Sequence, residues 1–118
     1  MKMKKLILIL LFSTVMFSSS SYAGWTKMGD LVKRDGIYYK KLTETPFTGK
    51  VTGRFQGRLE NGKKEGEWVK YHNTKIFSKG SYKNGKRDGE WVGYHDNGNV
   101  SYRGSYKNGK KEGEWVSD

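Results

Sequence analysis

The sequence predicts an all-β protein, a single-layer, twisted antiparallel sheet of successive β-hairpins. Three observations carry this reading. Gly66, Gly89 and Gly113 open Gly-Glu-Trp triplets 23 and 24 residues apart, a spacing that marks a structural repeat. Asn-Gly pairs at Asn61-Gly62, Asn84-Gly85 and Asn108-Gly109 lie between alternating segments, and a fourth follows at Asn97-Gly98. Asn-Gly favours the two-residue type I′ turn, because both residues tolerate positive φ. Past residue 23, no stretch shows the 3.6-residue apolar period of a helix.

The first 23 residues are read apart from the fold. Lys2, Lys4 and Lys5 precede an apolar run from Leu6 to Phe17, broken only by Ser13 and Thr14. Those twelve residues fall short of the roughly twenty that a spanning helix needs. Small residues at Ser21 and Ala23 complete the pattern of a secretory signal peptide cut after Ala23, with an uncleaved membrane anchor as the rival reading. A leading segment 24–35 follows, its first few residues expected to be disordered. The repeat domain is placed at 36–118, with units at about 36–65, 66–88 and 89–112 and a partial unit at 113–118.

In the first unit, Gly36-Ile37-Tyr38-Tyr39 parallels Gly66-Glu67-Trp68-Val69, and the return strand is expected to span Val51 to Leu59. The connection between them is long and holds the single proline, Pro46. It reads as a packed terminal cap or as a binding loop. Around Asn84-Gly85, a two-residue turn sets Lys83 opposite Lys86, Tyr82 opposite Arg87, Gly80 opposite Gly89 and Ser78 opposite Trp91. Around Asn97-Gly98 it sets His95 against Val100, Gly93 against Tyr102, Trp91 against Gly104 and Gly89 against Tyr106. The Trp91 indole is then expected to lie across Gly104, which has no Cβ. Around Asn61-Gly62, Phe55 falls opposite Trp68 and Gly57 opposite Gly66. The unit opening at Gly66 is one residue shorter. A three-residue loop from Asn73 to Lys75, with His72 facing Ile76, keeps Trp68 opposite Gly80. The last strand, with Trp115, is either a protected edge or an edge for homo-oligomerisation.

These residues resemble the bacterial variant of the MORN repeat, found in YwqK-family proteins described as antitoxins. The likeness rests on Gly66-Glu67-Trp68 through Tyr71, Gly80-Ser81-Tyr82-Lys83-Asn84-Gly85-Lys86, Gly89-Glu90-Trp91 through Tyr94, and Gly104-Ser105-Tyr106-Lys107-Asn108-Gly109-Lys110. Gly36-Ile37-Tyr38-Tyr39 and Pro46-Phe47-Thr48-Gly49 also look like the start of such family members. The resemblance implies an open antiparallel sheet of hairpins, and a role in protein assembly or near membranes and their lipids. An antitoxin acting on a cytosolic toxin fits an exported chain poorly, whereas an immunity-like role outside the cytosol is compatible with it.

Composition bounds the function. The chain carries a net charge of +11; Lys2, Lys4 and Lys5 account for three of its 23 basic residues, leaving 20 against 12 acidic ones, about +8. Most of that charge lies near turns, where it reads as a solvated rim or as steering toward an anionic partner. Export and the lack of a recognition helix argue against nucleic acid. Leu, Ile, Val and Phe make up only 14 of the 95 residues after the cut, a composition otherwise typical of disorder. The four tryptophans and eight tyrosines of the chain, regularly placed, are the expected packing material instead.

No catalytic residue, metal ligand or cofactor site is expected. There is no cysteine. His72 and His95 are equivalent turn positions about 10 Å apart across two strand spacings, and Asp96 reads as a turn aspartate. Glu67, Glu90 and Glu114 recur opposite to the tryptophans and pair most simply with basic neighbours. Phosphate loops precede helices, which these glycines do not. The candidate interaction face is Trp68, Trp91, Tyr102, Tyr106 and Trp115. The expected function is an exported non-catalytic scaffold with a protein partner; a peptide, glycan or anionic membrane surface is the other option. The alternatives are a membrane-surface or envelope-associated structural module, and an antitoxin or immunity-like protein.

Overall fold

The computed structural model describes residues 25–118; the signal peptide expected at 1–23 lies outside the described residues. The chain forms ten strands in two sheets: β1 (Trp25–Lys27), β2 (Leu31–Arg34), β3 (Ile37–Lys40), β4 (Gly49–Thr52), β5 (Phe55–Glu60), β6 (Lys63–His72), β7 (Lys75–Lys83), β8 (Lys86–Tyr94), β9 (Val100–Lys107) and β10 (Lys110–Ser117). Eight strands make one sheet in the order β1-β4-β5-β6-β7-β8-β9-β10, and β2 pairs with β3 in a second sheet of two. The fold is all-β, and from β4 onward each strand pairs antiparallel with the next.

The N-terminal part departs from the expected hairpin. Asp35 and Gly36, at φ 52° and 80°, are the turn between β2 and β3, with Arg34 opposite Ile37. Gly36 therefore sits in a turn, whereas Gly66 lies inside β6. The expected return strand is two strands, β4 and β5, broken at Gly53 and Arg54. Trp25–Lys27, in the stretch expected to be disordered, instead runs parallel beside β4, with Thr26 buried. The only parallel pair among the described strands is this one.

The loop holding Pro46 is tied down. Tyr39 bridges to Pro46, the Phe47 amide donates to the Tyr38 carbonyl at 2.9 Å, and the Gly62 amide donates to the Phe47 carbonyl at 2.7 Å. Phe47 is buried with Leu31, Val51, Leu59 and Trp68, and Met28, Tyr38, Phe55 and Tyr82 pack around them. This is the main apolar cluster, and it forms where the β2–β3 hairpin meets the large sheet. The loop works as a cap.

Farther along, registers set by the Asn-Gly turns hold close to the turns and shift beyond them. Lys83 faces Lys86 and Tyr82 faces Arg87, but Gly80 faces Trp91 and Ser78 faces Gly93. Between these pairs, Asp88, Gly89 and Glu90 stand opposite Ser81 alone, which is a bulge with two extra residues. Gly89 sits at φ 94°, where a side chain would be strained. The same offset recurs between β5 and β6, where Phe55 faces Lys70 rather than Trp68, and between β9 and β10. Two extra residues keep side-chain parity, so the faces stay as expected although the pairs move.

The other joints bulge by one residue. Tyr71 faces Ile76 and His72 faces Lys75, so the loop is only Asn73 and Thr74, and the spare residue is Phe77 within β7. Likewise Tyr94, not His95, faces Val100, while Gly93–Tyr102, Trp91–Gly104 and Gly89–Tyr106 stand as expected. His95 belongs to a wider turn, its amide donating to the Asn99 carbonyl at 2.8 Å. Asn61, Asn84 and Asn108 have the positive φ of type I′ turns, whereas Asn97 does not.

These bulges decide where each tryptophan goes. Trp68 covers Gly57, Trp91 covers Gly80 and Trp115 covers Gly104; in each case a Cβ on the glycine would overlap the indole. Trp91 thus packs over the strand before it, and Gly104, its backbone partner, lies under Trp115 instead. Gly80→Ala is expected to cost about 1–3 kcal/mol in a urea unfolding titration, the range for overpacking a filled core. Gly29→Ala, where a Cβ meets nothing within 4 Å, is expected to leave the midpoint unchanged.

Candidate functional site

The Trp–Gly packing gathers one face of the large sheet into a continuous line of rings. Trp68 meets Tyr82 edge-on at 6.4 Å between centroids, Tyr82 meets Trp91 at 5.4 Å, Trp91 meets Tyr106 at 6.0 Å, and Tyr106 meets Trp115 at 5.2 Å. Tyr102 stacks on Trp115 at 6.0 Å and covers Gly93. Edge-to-face pairs at these distances each add about 0.5–1.5 kcal/mol beyond area burial. The Trp68 indole N–H donates to the Arg58 carbonyl at 3.1 Å and that of Trp91 to the Ser81 carbonyl at 3.2 Å. Each bond ties a ring to the strand before it. The Trp115 indole N–H, also buried, has no partner.

All five expected face residues therefore come together, but they differ in access. Trp68 is 3% exposed and Trp91 6% exposed, so these two rings are spine rather than surface. Tyr102, Tyr106 and Trp115 are half-buried.

Three basic residues that sequence reasoning left on the solvated rim complete the face. Lys64 places its Nζ 5.0 Å from the Trp68 ring centroid and 4.9 Å from that of Tyr82. The Arg87 guanidinium lies 4.5 Å from Trp91 and 5.1 Å from Tyr106, and Nη1 donates to the Tyr106 hydroxyl at 2.9 Å. Lys111 lies 4.7 Å from Trp115. The signal was available: each stands four residues before its tryptophan. Partial burial works against the Arg87 charge, but hydrogen bonds and proximity to the Tyr82 and Tyr106 hydroxyls outweigh it and raise its pKa. Arg87 stays charged at every pH at which the fold is of interest.

A half-open groove of about 450 Å³ runs beside this line at the turn end of the sheet. Lys33, Tyr38, Lys63, Lys64, Tyr82, Lys86, Arg87 and Tyr106 line it together with turn glycines, and no acidic residue does. The turns stack to shape it: the Gly85 amide donates to the Lys64 carbonyl at 3.0 Å and the Gly109 amide to the Arg87 carbonyl at 2.9 Å.

The remaining sequence candidates do not converge. His72 faces Phe77 at 6.3 Å and lines a separate, shallow pocket with Arg54 and Tyr71. His95 and Asp96 lie in the β8–β9 turn, where the Asp96 carbonyl accepts from Lys75 Nζ at 2.9 Å. Glu90 pairs with Arg103 at 3.8 Å on the opposite face, an exposed contact of small energetic weight. Among the described residues, no group of His, Asp or Glu is placed to hold a metal ion, and no helix is long and apolar enough to cross a membrane. No family model, curated protein or solved structure matches the chain.

The difference between spine and surface can be measured. Trp91→Ala is expected to cost about 3–5 kcal/mol, the range for removing a buried aromatic. Trp115→Ala is expected to cost less than half as much, because its ring is half-buried and lacks the indole hydrogen bond. Paired chemical denaturation curves read the gap; equal costs for the two would contradict it.

Proposed function

We propose that the chain is an exported, non-catalytic interaction scaffold built of MORN-variant hairpin units. One observation carries the proposal: a line of half-buried tyrosines and permanent cations, held by a buried Trp–Gly spine, beside a groove lined only by basic, aromatic and glycine residues. Such a surface offers charge-assisted hydrogen bonds and ring faces, the two contacts most productive at binding interfaces. The repeated Gly-Glu-Trp and Asn-Gly elements support the MORN-variant reading, since each repeat contributes the same bulge, the same Trp-over-Gly contact and the same cation. Export rests on the segment 1–23.

A second reading has its own support. Cations aligned on one face suit an anionic membrane surface, as an envelope-associated module would need.

The test is affinity capture on the immobilised protein from the envelope fraction, beside an Arg87→Gln variant with an unchanged melting temperature. One stoichiometric partner held by the native protein and reduced at least tenfold by the variant is the expected result. Equal recovery on both surfaces, or anionic lipid alone with loss at high salt, would overturn the scaffold reading.

A further inference from the structure

We propose that the open side of β10 is a docking edge for an extended partner segment of the pattern basic–Gly–Ser–Tyr, added antiparallel to the eight-stranded sheet. This goes beyond the reading of the aromatic face, since it needs neither the groove nor Arg87. Gly-Glu-Trp-Val occurs three times, at Gly66–Val69, Gly89–Val92 and Gly113–Val116. In β6 the motif is paired, residue for residue, with Lys79-Gly80-Ser81-Tyr82 of the following strand. In β8 it is paired in the same register with Arg103-Gly104-Ser105-Tyr106. The third copy lies in β10, the edge of the sheet, where no described strand follows. Exposure records the difference: Val92 is 5% exposed and Val116 65%. The backbone there is extended and aimed outward. The Asp118 amide donates to the Ser101 carbonyl of β9 at 2.9 Å. Backbone groups alternate sides along a strand, so Trp115 and Ser117 turn theirs to the open side.

The two filled copies show what the motif accepts. The tyrosine of the added strand meets the tryptophan edge-on, and one cation lies over both rings: Lys64 over Trp68 and Tyr82, Arg87 over Trp91 and Tyr106. Lys111 lies over Trp115 at 4.7 Å, and an incoming tyrosine opposite Gly113 supplies its second ring. An incoming glycine stands opposite Trp115, as Gly80 and Gly104 stand opposite Trp68 and Trp91. An incoming cation faces Val116 and reaches Glu114, as Arg103 faces Val92 and lies 3.8 Å from Glu90. Main-chain bonds give strand addition its affinity and alternate side chains its specificity. A second copy of the chain is the weaker occupant. Its own basic–Gly–Ser–Tyr segments lie in β7 and β9, each already flanked by two strands. Antiparallel pairing of β10 with itself, centred on Gly113, Glu114 or Trp115, sets an acidic residue opposite an acidic residue every time, which is destabilising.

The experiment is an NMR titration of the protein with the peptide Val-Ser-Tyr-Arg-Gly-Ser-Tyr-Lys, the sequence of β9. Shifts are expected to concentrate at Gly113–Ser117, with slowed hydrogen exchange at the Trp115 and Ser117 amides. A peptide carrying Gly104→Val is expected to bind at least tenfold more weakly. So is the native peptide to a Ser117→Pro protein of unchanged melting temperature, because proline removes an amide on the open side alone. Arg87→Gln is expected to leave peptide binding within twofold. Equal binding of the two peptides, shifts centred on the groove at Tyr82 and Arg87, or no binding at millimolar peptide would overturn the inference. So would protected β10 amides in a particle of doubled mass without peptide, the mark of a second copy. If the peptide fails while Arg87-dependent capture persists, the edge assignment falls and the scaffold reading stands. If the peptide binds while that capture fails, the reading of the aromatic face falls and the edge stands.

Discussion

A tryptophan laid flat on a glycine of the preceding strand is the contact on which this molecule depends. A sheet one layer thick has no second layer against which to bury side chains. Here the sheet buries its rings on itself: Trp68 on Gly57, Trp91 on Gly80 and Trp115 on Gly104. Glycine ordinarily weakens a strand, through its entropy and its missing side chain. In this arrangement the missing Cβ is the space the indole fills. Conventional apolar packing is confined to the β2–β3 cap, where Leu31 and Phe47 meet Val51 and Leu59. The cap closes the N-terminal end of the spine and continues it through Trp68, which belongs to both.

The bulge in each Gly-Glu-Trp unit is what makes that contact reachable. With unbroken pairing from the Asn84-Gly85 turn, Trp91 would stand opposite Ser78. Two extra residues in β8 bring it opposite Gly80 and send its indole N–H to the Ser81 carbonyl. A shift of one residue would have turned the ring to the other face; a shift of two changes the partner and spares the face. The glycine that opens the triplet supplies the backbone conformation, as Gly89 does at φ 94°. The repeat is therefore a single device in which Gly89 bends the strand, Trp91 covers the neighbour and Gly80 receives it.

The all-β class, the hairpin order from β5 onward and both faces there were legible in the sequence, because Asn-Gly turns and period-two alternation are local signals. The bulges were not, since a strand read alone does not reveal that three of its residues stand opposite one of its neighbour's. That is why Gly80–Gly89 and Phe55–Trp68 were expected and Gly80–Trp91 and Phe55–Lys70 occur. Asp35-Gly36 was a readable turn signal, masked by its likeness to Glu65-Gly66. At the site, the rings were identified and their cations were not. Lys64, Arg87 and Lys111 look like solubilising turn charges until the bulge folds each back over the tryptophan four residues on. The parallel pairing of β1 joins Trp25–Lys27 to Gly49–Thr52, and nothing local in either segment announces it.

On the proposed interaction face, the cations pack on the same rings that build the spine. Their charged ends lie over the rings, and Lys64 and Arg87 also line the groove. Where the cation stays in contact with water, such a contact is worth about 0.5–1 kcal/mol, small against the Trp–Gly packing beneath it. The charged ends are thus positioned without carrying the fold. Arg87, between Trp91 and Tyr106 and hydrogen-bonded to the Tyr106 hydroxyl, has lost much of its rotamer freedom before any ligand arrives. Immobilising such a side chain at an interface otherwise costs about 0.5–1.5 kcal/mol. Because the repeat fixes each cation in the same way, that saving accrues at every second strand, and it favours ligands long enough to engage several at once.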